Sequence, residues 1–119
     1  MNNKRLGTAF EKEFCQILAS KGWWVHFITP APHGGQPFDI IAVKAGEAIA
    51  IDCKTCASHL FHLTRLEENQ VMAFEKWMAC GNSEPKIAVK YNDKIYLIEY
   101  RRLREYGRID LDKEKPYPA

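Results

Sequence analysis

The sequence predicts an α/β fold, a mixed central β-sheet flanked by helices, on three observations. An amphipathic helix opens the chain, three strand-like apolar runs follow it, and a second helix separates these from a further strand pair. The resulting order is helix, strand, strand, strand, helix, strand, strand, which calls for at least one helix laid on a sheet face. The 119 residues suit one domain, expected to span residues 1–109, with a polar, frayed tail over 110–119.

Each element has its own signal. Leu6, Phe10, Phe14, Ile17 and Leu18 repeat at helical spacing, and Gly22 supplies the stop. Trp23 to Ile28 is rich in aromatic and β-branched residues and reads as a strand. Trp23 and Trp24 invite a base-stacking reading, but neighbouring strand residues face opposite ways, so at least one of them is expected in the core. Thr29 to Pro37 holds three prolines and Gly34-Gly35 and reads as a loop. Phe38 to Lys44 and Ala48 to Thr55 form an antiparallel hairpin around Ala45-Gly46-Glu47. Thr64-x-x-Glu67 has the pattern of a capping box and announces a helix running to Gly81-Asn82. Lys86 to Tyr91 and Ile95 to Tyr100 pair around Asn92-Asp93.

Composition narrows the function classes. With 46% apolar and 12% aromatic residues the chain is not disordered, and no apolar run approaches the ~20 residues of a membrane helix. Neither a signal peptide nor a disulfide framework is read from the polar start and the four cysteines, so a cytoplasmic location is expected. The formal charge of +2 is far from the basic footprint of a protein that coats nucleic acid.

Chemistry concentrates at Pro37-Phe38-Asp39 and Asp52-Cys53-Lys54. Residues i and i+2 of a strand share a face, so Asp52 and Lys54 project together from an otherwise apolar strand, with Cys53 on the other side. Burying such charges is costly unless partners meet them there. The hairpin brings Asp39 to the same end. Two carboxylates beside a lysine make a hard-cation site suited to phosphodiester hydrolysis, although an edge-of-sheet ion pair would have the same tripeptide.

These segments resemble the PD-(D/E)xK nuclease motif, with Phe38 inserted between the usual Pro and Asp. Gly7-Thr8-Ala9-Phe10-Glu11 is similar to the G-x-x-x-E opening of the Holliday-junction resolvase branch, and Gln70 matches a glutamine of its bacterial type. The likeness runs from Gly7 to Tyr100. It implies a restriction-endonuclease-like core and a Mg²⁺-dependent endodeoxyribonuclease, with Mn²⁺ able to substitute, acting as a homodimer on branched or four-way DNA. It further implies that Asp39, Asp52, the carbonyl of Cys53 and Glu11 bind metal, that Lys54 acts on the attacking water or the phosphate, and that Gln70 holds Lys54, water or phosphate in place.

Glu13 competes with Glu11 for the helix carboxylate, since both flank the apolar stripe; Gly7, one turn before Glu11, and the family spacing favour Glu11. Lys4, Arg5, His33, Gly34 and Arg65 are candidate DNA contacts, whereas Arg101, Arg102, Arg104 and Arg108 form a basic cluster that reads as a solvated helix face ahead of a second DNA contact. Two rival classes stand beside this reading. One is a different structure-selective nicking, flap or repair nuclease of the same fold. The other is a non-catalytic DNA-binding or zinc-stabilised domain, the zinc set being Cys53, Cys56, His59 and His62. Zinc modules place a dozen or more residues between their ligand pairs, and only two lie between these.

Overall fold

The computed structural model describes residues 3–29 and 37–118, with side chains from Ala9 onward. Five strands form the main sheet in the order β1-β2-β3-β5-β6: β1 is Trp24–Phe27, β2 Ile40–Lys44, β3 Glu47–Thr55, β5 Lys86–Tyr91 and β6 Lys94–Glu99. Among the described residues only β3 and β5 pair in parallel, and the chain between them carries β4 (Leu60–His62) and helix α2 (Glu68–Ala79). Helix α1 (Asn3–Ser20) lies on the opposite face. The mixed sheet flanked by helices is therefore the fold the sequence predicts.

Alternation along the strands builds two cores. Ile49, Ile51 and Cys53 of β3 and Ile40 and Ala42 of β2 pack with Phe10, Phe14 and Leu18 of α1. Ala50, Ile87, Val89, Tyr96 and Ile98 pack on the other side with Phe74 of α2. Each large apolar side chain so buried contributes roughly 1.5–3 kcal/mol. The hairpin turns are tight. Ala45 and Gly46, like Asn92 and Asp93, take positive φ in pairs, the conformation that matches strand twist in two-residue hairpins.

Two expectations need correction. The second helix does not start at Thr64, which lies in a short 3₁₀ turn, Leu63–Arg65; Glu67 is the N-cap instead. The tail is not frayed. Arg108–Asp110 forms β7, which pairs with β4 in a separate two-stranded sheet. Leu111 is fully buried, and Tyr117 packs edge-on against Phe14 while its N–H donates to the Ile95 carbonyl at 2.7 Å. The basic cluster has partners too. It lies largely on a third helix, α3 (Tyr100–Tyr106), where Arg101 pairs with Glu84, Arg102 with Glu114 and Arg104 with Glu75. A charged segment with few apolar residues reads as solvated because these partners lie elsewhere in the chain.

Leu111→Ala should destabilise the protein by about 2–5 kcal/mol, the cost of emptying a packed leucine site. Urea unfolding measures it, and a frayed tail would show no change.

Candidate active site

Phe38 secures the start of the site. The residue that interrupts the motif is buried, stacked on Phe74 and edge-on to Trp77 of α2. That anchor fixes the chain where Asp39 enters the sheet. The Asp39 N–H donates to the Ile51 carbonyl at 3.0 Å and its carbonyl accepts from Ile28 at 2.8 Å. Its Oδ2 accepts from the Cys53 N–H at 2.8 Å, so the carboxylate takes a backbone donor of β3 just beyond the β2–β3 pairing, which ends at Ile40 and Ile51.

Asp52 is fully buried. Its Oδ1 accepts from Gln70 Nε2 at 2.9 Å, while Oδ2 has Lys54 Nζ at 3.3 Å and no hydrogen-bond partner. Burial raises its pKa well above the usual carboxylate range, the adjacent Asp39 carboxylate adds to the rise, and Lys54 opposes it. Glu11 shows the same pattern. Burial, then the charge of Asp39, pushes it to about 7 against the pull of Lys54. Three carboxylates against one ammonium leave two unbalanced negative charges when all are ionised, a deficit that one divalent cation cancels. The donor set, all hard oxygen, and the orphaned Oδ2 of Asp52 fit such an ion.

Gln70 has one orientation open to it. Its Oε1 accepts from the Glu67 N–H at 3.0 Å, closing the start of α2, and from Lys54 Nζ at 3.2 Å. Both are donors, so the amide nitrogen must face Asp52. One side chain thus ties the helix start to the lysine and the buried carboxylate. The two helix glutamates have different surroundings. Glu13 accepts from Lys90 of β5 at 2.7 Å, whereas Glu11 feels Asp39 and Lys54. Lys90 escaped sequence reasoning, although a lysine in the apolar run Ile87-Ala88-Val89-Lys90-Tyr91 carries the same signal as Lys54.

The zinc set does not assemble. Cys53 packs on the α1 side and Cys56 on the α2 side, where its thiol donates to the Ser58 carbonyl. His59 instead meets Asp110 at 3.1 Å. Among the described residues, His59, Asp110 and Asp112 form the group that holds three ligand atoms within 4.8 Å of one another; Glu11, Asp39 and Asp52 are more open. Arg65 is exposed, with one guanidinium nitrogen on the Thr55 carbonyl. The side chains of Lys4 and Arg5, and all of His33 and Gly34, lie outside the described residues.

A family model described as archaeal Holliday junction resolvase (hjc) matches residues 2–116. The chain belongs to that family. It is 26% identical over 104 residues to a crossover junction endodeoxyribonuclease Hjc of Methanocaldococcus jannaschii, covering 87% of this chain and 73% of the relative. It is 28% identical over 108 residues to the crossover junction endodeoxyribonuclease Hje of Sulfolobus acidocaldarius, covering 87% and 76%. In fold it matches the solved Holliday junction resolvase Hjc of Archaeoglobus fulgidus with a TM-score of 0.67, at 18% identity and covering 87% and 86% of the two chains. The homology and the buried carboxylate cluster thus arise from the same stretch of chain.

The metal-free family member should melt at a higher temperature at about pH 5.5 than at about pH 8. Glu11 and Asp52 have folded pKa values above their unfolded ones, so the folded state binds more protons in this window and stability falls as pH rises. Glu75 and Asp110, whose pKa values are lowered, titrate below it. Calorimetry in EDTA checks this, and Glu11→Gln should shrink the difference.

Proposed function

We propose that this chain is a Mg²⁺-dependent endodeoxyribonuclease of the cytoplasm that cuts branched DNA, four-way junctions above all, as a homodimer, with Mn²⁺ able to replace Mg²⁺. The observation that carries the reading is the buried Asp52 carboxylate, set against Asp39 with one oxygen unpaired and a lysine beside it. Family membership supplies the DNA-cleaving context, since the relatives are named as crossover junction endodeoxyribonucleases.

Asp39, Asp52, the Cys53 carbonyl and Glu11 would hold the ion, Glu11 through water or by a change of rotamer. When bound, the ion offsets charge on the scissile phosphate and acidifies a water for attack. Lys54 is partly exposed; it donates to Gln70 at 3.2 Å and stands 3.3 Å from Asp52 as an ion pair. That leaves it able to donate to the attacking water or a phosphate oxygen, and so to orient the nucleophile or meet charge as it develops. Gln70 acts through Lys54 and Asp52 as a positioning residue. Arg65 fits a backbone phosphate contact, with Lys4, Arg5, His33 and Gly34 as further candidates around the same substrate. Two symmetric cuts across a junction call for two such sites, which a homodimer provides.

Asp52→Asn should lower cleavage of a synthetic four-way junction in Mg²⁺ by about a thousandfold or more, the scale of losing a charge-stabilising group, and leave junction binding within about threefold. EDTA should abolish cleavage by the unaltered protein. Denaturing gels and band shifts measure the two properties. An Asp52→Asn protein that cuts normally overturns the site.

A further inference from the structure

Strand β1 carries two rings that the core does not use. Trp23, Val25 and Phe27 pack toward α1, which turns Trp24 and His26 to the opposite face of the sheet. That is the face on which Asp52 and Lys54 project, since they alternate with Cys53, which packs on the α1 side. The two rings stack nearly parallel, 8° apart in plane with centroids 6.1 Å apart. Trp24 is 63% exposed and His26 is exposed as well.

Their place relative to the carboxylates follows from the register. His26 pairs with Ile41 and Trp24 with Val43, and two residues beyond His26 the Ile28 N–H bonds to the Asp39 carbonyl. Trp24, His26 and Ile28 therefore make a line along one face that ends beside Asp39. His26 stands about 7 Å and Trp24 about 14 Å up that line from Ile28, by the rise of an extended strand. Ile28 and Ile41 are packed against the α2-side core, which stops short of the two rings. Among the described residues β1 is also the edge of the sheet, so the rings stand at its margin.

We propose that Trp24 and His26 form a stacking ledge for a nucleobase of branched DNA at the branch point, next to the scissile phosphate. This rests on the nuclease reading above and deepens it by naming a contact that distinguishes a junction from a duplex. Flat, parallel rings offer faces to a base, and base–aromatic stacking is indifferent to sequence. A base pair at a branch point lacks the continuous stacking of a duplex interior, so less must be given up to place a base on protein. The ledge is continuous with the catalytic face, which favours substrate over a second copy of the chain.

The test uses a four-way junction with 2-aminopurine at the branch point, bound in EDTA so that no strand is cut, and a linear duplex of the same length. The unaltered protein should quench the probe. Trp24→Ala should remove the quench and weaken junction binding by about five- to thirtyfold, with duplex binding changed by less than about twofold. Trp24→Phe should restore most of the affinity, and His26→Ala should give a smaller loss of the same kind. Exposure of Trp24 makes an unchanged melting temperature the expected control. If the unaltered protein binds the junction and Trp24→Ala neither restores fluorescence nor changes affinity, the ledge is overturned and the nuclease reading stands. Failure of the unaltered protein to prefer the junction overturns both. Equal losses on junction and duplex, with a change of oligomeric state by light scattering, would make this face a subunit interface instead.

Discussion

A carboxylate with no water to solvate it organises this molecule. Asp52 sits in the centre strand of a five-stranded sheet, where an unpaired charge is among the most expensive things a fold can bury. Everything around it is arranged to make that tolerable. Gln70 donates to one oxygen from the start of α2, and Lys54 faces the other from two residues along β3. The parallel crossover from β3 to β5 therefore does more than complete the sheet. It places the N-terminus of a helix over a buried carboxylate that needs a donor.

The site was legible in the sequence to the extent that its chemistry conflicts with its surroundings. Asp52 and Lys54 stand out because they interrupt Ala48-Ile49-Ala50-Ile51, and Asp39 because a hairpin of fixed register sets it opposite them. Gln70 stands out in the sequence only by resemblance, because the way its amide faces depends on the Glu67 N–H and Lys54. The tie between Glu11 and Glu13 was not solvable locally. What sets them apart is Lys90, a partner of Glu13 that lies 77 residues away, and no spacing within one helix contains that information. The start of α2 was misplaced for a related reason. The sequence points to Thr64, but the observed N-cap is Glu67, whose N–H is met by Gln70, a side chain that also binds a lysine and a carboxylate.

The C-terminal region failed to read as structure because its stabilisation is pairwise and remote. Arg102 with Glu114 and Arg104 with Glu75 look, in one dimension, like charges facing water. Tyr100 adds a hydroxyl bond to Glu75 at 2.6 Å, which joins α2 and α3 through one carboxylate. Ile109 and Leu111 are too few to show a period, yet both are core. Hydrophobic patterning reports on faces, and this segment is held by points.

The contact between Tyr117 and Phe14 ties distant parts of the described chain into one core. The hairpin bearing Asp39 and Asp52 is built from short-range pairing, and α2 follows soon after it in sequence. Helix α1 rests on β2 and β3, and its cluster also draws in Ala88, Ile95 and Tyr117. Contacts of long sequence separation carry the larger loop-closure cost. A change in the C-terminal segment can therefore reach the helix that carries Glu11, although the two are far apart in the sequence.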